Sequence, residues 1–256
     1  MIIALLTDFG TEDYFVGAMK GVILSIEPGA KIIDLTHQIE PQNIVAAGFT
    51  LGNCYHEFPV GTIFLCVVDP GVGSGRRAVV VRAGDYYFVA PDNGLLSFVL
   101  AREDEPYRAY QLENPQYFRH PVSRTFHGRD IFAPAAAWLA RGVQPAEFGP
   151  AAADLVRLEI TEPEKQNPNL VIGRIIHLDR FGNLVTNLRP GDLPNPFVTE
   201  VNGRLISSHF AHYSAAAPDE IFTIFGSAGY LEIVAFKNSA ERILSATAGQ
   251  KIIVRM

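Results

Sequence analysis

Cysteine and basic residues are scarce in this 256-residue sequence. Its two cysteines, Cys54 and Cys66, are too few for a disulfide framework or a four-ligand zinc site, so we expect a reduced, cytoplasmic protein. Lys and Arg total 21 against 27 Asp and Glu, which gives a net charge of −6, and no segment is strongly basic. Nucleic acid and anionic membranes are therefore not expected partners.

No hydrophobic run is long enough to cross a bilayer. The run Ile131–Ala140 has ten residues and contains a proline, whereas a spanning helix needs about 20 apolar residues. The apolar start Met1–Leu6 has no basic residue before it and is followed by Asp8, so we expect no secretory signal. Hydrophobic residues make up 48% of the chain and charged residues 19%, which is typical of a folded globular protein.

What the first half of the chain does contain is an alternation of buried-strand and amphipathic-helix patterns. The predicted elements are a strand at Ile2–Leu6, a helix at Phe15–Ile26 with Asp13 in its first turn, a strand at Lys31–His37, a helix at Ile44–Cys54 and a strand at Thr62–Val68. Strands at Ala78–Val81 and Tyr86–Ala90, a helix through Leu100 and an Ala-rich helix ending at Arg141 follow. This order predicts an α/β fold with a doubly wound, mostly parallel, Rossmann-like sheet.

The pattern changes after the polar, proline-containing segment Thr161–Asn169, which we interpret as a linker. Beyond it lie short β-type runs at Leu170–Leu178, Asn183–Leu188, Phe197–Val201, Arg204–Ser207, Ile221–Phe225, Tyr230–Phe236 and Lys251–Arg255. The dipeptide Asn202-Gly203 predicts a tight hairpin between two of them. We therefore expect an N-terminal α/β domain, residues 1–162, and a small C-terminal antiparallel β-barrel domain, residues 170–256.

Polar residues follow three of the predicted parallel strands. Asp8, His37 and Asp69 each stand where a strand ends, which is the edge of an open parallel sheet at which ligands bind. Each of them alone has a structural explanation as a cap or turn residue. The Gly-rich segment after Asp69 fits neither a Walker A loop nor a dinucleotide fingerprint, because Arg76 stands where the fingerprint needs a glycine. We interpret it as a tight loop that holds Asp69 and Arg76 near one pocket.

His127 begins a second polar motif, His127–Asp130, just before the Ala-rich helix. An imidazole in this position suits a general base, a residue that orients water, or a metal ligand. Carboxylates and imidazoles elsewhere keep a metal-dependent hydrolase open as an alternative, although no tight metal motif is present. The candidate ligands are Asp8, Asp13, Asp69, His127 and Asp130.

Two turns of the second domain also carry polar and aromatic residues, at Asp179–Asn183 and Ser227–Tyr230. The simplest explanation is a pair of hairpin turns. A carboxylate, an aromatic ring and an amide on one short loop would also serve to bind a cation and a purine.

Five motifs follow one another along the chain: Thr7–Thr11 with Asp13, Val68–Gly73 with Arg76, Ala90–Leu95, Phe126–Asp130 and Phe181–Asn183. In this order they resemble the S-adenosyl-L-methionine hydroxide adenosyltransferase family, the hydrolytic relatives of the fluorinase and chlorinase. The resemblance extends from Ile3 to about Val254 and so covers nearly the whole chain.

The resemblance implies an enzyme that splits S-adenosyl-L-methionine with water into adenosine and L-methionine, without a cofactor. Its catalytic triad falls on Asp69, Arg76 and His127. The implied substrate contacts are Asp8 for the ribose, Asp179 for the ammonium, Asn183 and Asn238 for the adenine, Ser227 for the carboxylate, and Phe181 and Tyr230 in the same binding site. The spacing before Asn238 differs from the halogenase pattern by about two residues.

The resemblance also implies a homotrimer with substrate held at subunit interfaces. A halogenase is one alternative, disfavoured because halogenases carry a tyrosine in place of Asp69 and a Tyr-Ser pair in place of His127-Gly128, and because a halogenase tryptophan is replaced here by Gln42. A binding protein for S-adenosyl-L-methionine or adenosine without turnover is another. Which triad member accepts a proton, and which sulfur epimer is preferred, stay open at this point.

Overall fold

The computed structural model describes residues 1–103 and 106–256 and divides into two units, Met1–Glu159 and Ile160–Met256. Buried strands covered by helices form the first unit. The elements of the first unit are β1 (Ile2–Thr7), α1 (Phe15–Ile26), β2 (Lys31–Thr36), α2 (Ile44–Gly52), β3 (Ile63–Val67), β4 (Ala78–Ala83), β5 (Tyr86–Pro91), α3 (Ser97–Leu100), β6 (Arg108–Gln111) and α4 (Ala133–Ala140). Among the described residues, no helix is both long and apolar enough to cross a membrane.

The sheet of the first unit has the strand order β2-β1-β3-β5-β4-β6. Strands β2, β1, β3 and β5 pair in parallel, and β4 pairs antiparallel with both β5 and β6. The predicted α/β fold with a mostly parallel sheet is confirmed. Strand β6 was not predicted, because its four residues carry no clear period-2 pattern.

Both faces of this sheet are covered, which explains the continuous apolar runs. Ile3 and Leu5 of β1 pack in a core cluster with residues of α1 and α4, whereas Ala4 and Leu6 pack in a second cluster with residues of α2 and α3. Successive side chains of a strand point to opposite faces, so a strand between two helical layers must be apolar at every position.

Helix α1 begins at Phe15, and Asp13 precedes it, so the prediction that Asp13 lies in the first turn is wrong. The helix itself has the predicted bounds, and in the loop before it Gly10, at a φ of 67°, donates its N–H to the carbonyl of His37, 2.8 Å away. This contact holds the loop against the end of β2.

The second unit is an antiparallel, nearly closed barrel-like sheet with the path β11-β10-β14-β8-β9-β13-β12, and β7 pairs with β8. Its elements are β7 (Glu164–Asn167), β8 (Leu170–Leu178), β9 (Leu184–Thr186), β10 (Val198–Val201), β11 (Arg204–Ile206), β12 (Ile221–Phe225), β13 (Leu231–Ala235), α5 (Ala240–Leu244) and β14 (Lys251–Arg255). The predicted hairpin at Asn202-Gly203 is confirmed, with φ angles of 49° and 76° that suit a type I′ turn.

Strand β7 lies inside the segment Thr161–Asn169 that the sequence predicts as a linker. Its side chains are exposed, and its backbone pairs with β8 through Glu164↔Ile172 and Lys165↔Val171. Backbone pairing does not need apolar side chains at an edge strand, so composition did not indicate it. The predicted boundaries 1–162 and 170–256 stay a prediction.

Candidate active site

Asp69 follows β3 by two residues and opens a tight loop that returns the chain to Arg76 and β4. Two turn hydrogen bonds shape the loop, from Val72 N–H to the Asp69 carbonyl and from Ser74 N–H to the Gly71 carbonyl. Gly73 has a φ of 78°, and a Cβ there would lie 2.4 Å from the carbonyl oxygen of Arg124. The loop thus needs glycine at this position to approach the segment before His127.

Arg76 and Asp69 form a bidentate ion pair. Nε of Arg76 lies 2.9 Å from both carboxylate oxygens of Asp69, and Nη2 lies 2.5 Å from Oδ2. Only 4% of the Asp69 side chain and 11% of the Arg76 side chain are exposed. The Arg76 guanidinium also lies over the ring of Phe132, 5.1 Å from its centroid. A planar guanidinium held on two sides presents its remaining N–H groups in a defined direction.

His127 accepts a hydrogen bond from one of those N–H groups, since Nη2 of Arg76 lies 2.8 Å from its Nδ1. A guanidinium only donates, so Nδ1 accepts and the imidazole is neutral, with its proton on Nε2. The pKa of His127 is lowered by burial and by the charge of Arg76, while Asp69 and Asp130 oppose the shift. The predicted triad residues are thus in contact through one guanidinium.

Asp130 is fully buried, and its carboxylate is occupied by hydrogen bonds from neighbouring residues. Its carboxylate accepts hydrogen bonds from Arg129, Arg119 and the N–H of Ser123, at 2.7 to 3.1 Å. Burial opposes ionisation, but these donors hold the pKa of Asp130 below its usual value. Asp130 therefore stabilises the turn around His127, which begins a π-helical turn at Gly128–Phe132 leading into α4.

Asp8 and His37 follow β1 and β2 at the same edge of the sheet as Asp69, since β2, β1 and β3 are adjacent and parallel. Asp8 accepts the N–H of Gln42 at 2.8 Å. The ring of His37 is buried, with Nδ1 2.8 Å from Thr7 Oγ1, so it contributes to packing at the strand ends. Within residues 1–103 and 106–256, no group of three His, Cys, Asp or Glu residues is arranged to hold a metal ion.

The second unit contains a cavity of about 710 Å³. Predicted binding residues line it, together with residues that the sequence did not single out. The lining residues are Asp179, Phe181, Asn183, Tyr213, Ser227, Glu232, Ala235, Phe236, Lys237, Asn238 and Arg242. The structure thus brings five of the seven predicted binding residues to one cavity.

The loop between β8 and β9 is ordered by Asp179. Its Oδ1 accepts the N–H groups of Phe181 and Asn183 at 2.8 and 2.9 Å, and its Oδ2 accepts the side-chain amide of Asn183 at 2.8 Å. Phe181 on this loop is 77% exposed, although its side chain is large and apolar. A carboxylate, an amide and an exposed ring are therefore presented side by side at the cavity.

Glu232 and Tyr213 were not predicted from the sequence. The Tyr213 hydroxyl donates to Glu232 Oε2 at 3.3 Å, and burial and then the charge of Asp179 raise the pKa of Glu232. Burial and Glu232 raise the pKa of Tyr213 to about 12. Glu232 lies at an outward position of β13, opposite Val185 of β9. Its proximity to Asp179 depends on contacts between separate segments of the chain, so the alternation pattern of β13 alone gave no functional signal.

Tyr230 and Asn238 are positioned by other contacts. Tyr230 is buried, outside the cavity-lining set, and its ring lies beneath the Arg189 guanidinium, 4.2 Å from the centroid. Asn238 donates its side-chain amide to Asp219 at 2.8 Å and accepts the N–H of Ser239. Asp8 lies in the first unit and not in this cavity.

Comparison with known proteins finds matches to both units of the chain. The family models described as SAM hydroxide adenosyltransferase N-terminal domain and C-terminal domain match residues 3–149 and 173–253. A curated relative, the (R)-S-adenosyl-L-methionine hydrolase of Thermus thermophilus, is 37% identical over 96% of this chain and 96% of its own length. A more distant relative, a fluorinase of Actinoplanes sp., is 32% identical over 75% of this chain and 73% of its own.

A solved structure has the same fold. The crystal structure of an uncharacterized conserved protein from Thermotoga maritima matches with a TM-score of 0.91 and 35% identity, over 100% of both chains.

Proposed function

This chain belongs to the SAM hydroxide adenosyltransferase family, and on that basis we propose that it hydrolyses S-adenosyl-L-methionine to adenosine and L-methionine. In this reaction the oxygen of a water molecule forms a bond to C5′ of the ribose. The C5′–S bond breaks and its electron pair stays on sulfur, which leaves as the neutral thioether of methionine. One water proton remains on the new hydroxyl group and the other is released.

The contact of Arg76 with both Asp69 and His127 carries this proposal. The leaving thioether needs no acid, so the enzyme's task is to hold a water in line with C5′ and to stabilise the hydroxide character that the water gains as its proton is removed. The Arg76 guanidinium supplies the positive charge. In this mechanism His127, whose Nδ1 carries no proton, directs its Nε2–H toward the water oxygen. The Asp69 carboxylate is the triad member with lone pairs left to accept the proton.

The cavity of the second unit suits the amino acid and purine parts of the substrate. Asp179 is the proposed partner of the ammonium, Ser227 of the carboxylate, and Asn183 and Asn238 of the adenine. Phe181 offers an exposed ring for contact with the base. Asp8, at the sheet edge, is the proposed acceptor for the ribose hydroxyls, and Tyr230 supports the cavity from outside its lining.

Two features of the proposal concern the whole assembly. The triad lies in one unit and the cavity in the other. The proposed enzyme is a cytoplasmic homotrimer in which the α/β unit of one subunit and the barrel of its neighbour share one substrate. A verified monomeric variant should then lose activity, and a fully active monomer would contradict the trimer.

The Thermus thermophilus relative is named for the R epimer at sulfur, and we propose the same preference here. Separate rates on the purified R and S epimers test this. A ratio below one for R over S would contradict it.

Hydrolysis is tested by incubating chelator-treated protein with S-adenosyl-L-methionine in oxygen-18 water and following the products by mass spectrometry. We expect one labelled oxygen in adenosine, and its loss in Asp69→Ala and His127→Ala. Asp85→Ala, on the turn between β4 and β5, is the matched control and should keep wild-type activity.

The other functions give different products in the same experiment. A halogenase would form 5′-chloro-5′-deoxyadenosine at high chloride, and a binding protein would hold the nucleoside without releasing methionine. Activity lost on chelation and restored by a divalent metal would indicate a metal-dependent hydrolase.

A further inference from the structure

The loop that carries Asp69 and Arg76 is fastened at its first end by Asn93. The side-chain amide of Asn93 donates to the carbonyl of Val68 at 2.9 Å, and its Oδ1 accepts the N–H of Leu95 at 3.2 Å. Val68 is the residue directly before Asp69. Asn93 therefore fixes the peptide from which the Asp69 carboxylate projects.

The neighbouring residue, Asp92, fastens the other end of the same loop. Asp92 Oδ2 accepts from Arg77 Nε at 2.8 Å, and the N–H of Asp92 donates to the Arg77 carbonyl at 2.9 Å. Arg77 directly follows Arg76. The Asp92 side chain is 3% exposed, and its Oδ1 accepts the N–H of Val156 at 2.8 Å. The contact between Asp92 and Arg77 is thus a buried, charge-assisted one.

We propose that Asp92 and Asn93 are positioning residues for the hydrolytic triad, because they clamp both ends of the loop that carries Asp69 and Arg76. This inference rests on the proposed function. The two residues come from one turn after β5, so a single rigid peptide sets the separation of the loop ends. Among the described residues, the side chains of Asp92 and Asn93 bond to Arg77, Val156, Val68 and Leu95 and not to the triad side chains. By fixing the loop ends, they hold Arg76 where it contacts both Asp69 and His127.

The pKa of His127 tests the clamp separately from the stability of the whole protein. His127 faces Arg76, Asp69 and Asp130, and Arg76 is the positive group that lowers its pKa. If the loop ends separate and Arg76 moves away, the pKa of His127 rises toward 6.5. Burial also lowers this pKa, so an upward shift reports that the loop, and with it the charge of Arg76, has moved away from His127.

Two variants test the clamp, Asp92→Asn and Asn93→Ala, with Asp154→Asn as the matched control. Asp154 also pairs with Arg77, at 2.7 Å from Nη1, but its side chain is 86% exposed and does not join the loop ends. Asp92→Asn and Asp154→Asn remove the same charge. Removing a negative charge would by itself lower the pKa of His127, so a rise in Asp92→Asn reports movement of the loop, through less burial of His127 or a more distant Arg76, and not the lost charge.

The titration is followed by NMR on protein with carbon-13-labelled histidine, and the His127 signal is assigned by its loss in His127→Gln. Circular dichroism confirms that each variant is folded. In Asp92→Asn and Asn93→Ala we expect a higher His127 midpoint and a kcat lower by about ten-fold or more, with KM changed less than about three-fold. Asp154→Asn should match the wild type in its His127 midpoint, its kcat and its KM.

Unchanged His127 midpoints and kcat in both clamp variants would overturn the inference. The same changes in Asp154→Asn would overturn it as well, because they would reflect loss of charge around Arg77 and not the clamp. The titration needs no substrate. A wild-type protein that makes no adenosine would therefore refute the proposed function, while the His127 midpoints would still decide the clamp.

Discussion

Nη2 of Arg76 lies 2.8 Å from Nδ1 of His127, and this contact requires the imidazole to be neutral. The same guanidinium holds Asp69 through two of its nitrogen atoms. One arginine thus sets the protonation state of the histidine and the orientation of the carboxylate. Loss of the guanidinium should therefore disturb both partners at once.

Replacing Arg76 with lysine should lower kcat by about 10²–10³-fold, because an ammonium cannot bind Asp69 bidentately and reach His127 at the same time. Steady-state release of methionine measures the effect. Arg82→Lys is the matched control, since Arg82 is an exposed residue of β4 whose guanidinium lies over Tyr87. Equal losses in both variants would contradict a specific role for Arg76.

The pH dependence of kcat should show an acidic limb below pH 6.5. The pKa of His127 is lowered from 6.5 by burial and by Arg76, so the neutral form persists to lower pH than in a free imidazole. Protonation at Nδ1 breaks the contact with Arg76, and activity falls as the pH drops through this lowered pKa.

His209→Gln should leave that acidic limb in place. The pKa of His209 is also lowered by burial, but His209 belongs to the second unit, where its Nδ1 lies 3.1 Å from Thr223 Oγ1. A limb centred above pH 6.5, or one that His209→Gln removes, would contradict the assignment to His127.

Asp179→Asn should raise KM by about 10–100-fold while kcat changes little, because it removes the charge proposed to pair with the substrate ammonium. Asp192→Asn in the same unit is the control, since Asp192 accepts the N–H of Arg189 and pairs with Lys165 away from the cavity lining. A variant that lost kcat and kept KM would place Asp179 in the chemical step instead.

Gly182→Ala should destabilise the second unit by about 1–3 kcal/mol. Gly182 has a φ of 80°, and a Cβ there would lie 2.1 Å from Ser239 Oγ, whose hydroxyl caps α5. Gly191→Ala, where a Cβ meets nothing within 4 Å, should leave Tm unchanged. Thermal unfolding by circular dichroism compares the two, and equal Tm values would contradict the steric argument.

Much of the fold follows from local patterns in the sequence. Continuous apolar runs such as Ile2–Leu6 indicate strands buried on both faces, and Asn202-Gly203 indicates a hairpin, because side-chain period and backbone φ are local properties. Strand β7 and helix α5 were not predicted, because neither has a hydrophobic pattern long enough to recognise. The first is held by backbone pairing with β8, and the second is a short helix begun by the Ser239 cap.

The sequence by itself determined which residues follow the parallel strands and which short motifs contain carboxylate, guanidinium and imidazole. Only the tertiary structure decided that Arg76 contacts both Asp69 and His127, although His127 stands 51 positions after Arg76. It likewise decided that the Asp130 carboxylate accepts hydrogen bonds from Arg119 and Arg129. It also decided that Glu232 lies near Asp179, through the register of β13 against β9. Contacts between distant segments depend on sheet order and packing, which no local pattern of residues contains.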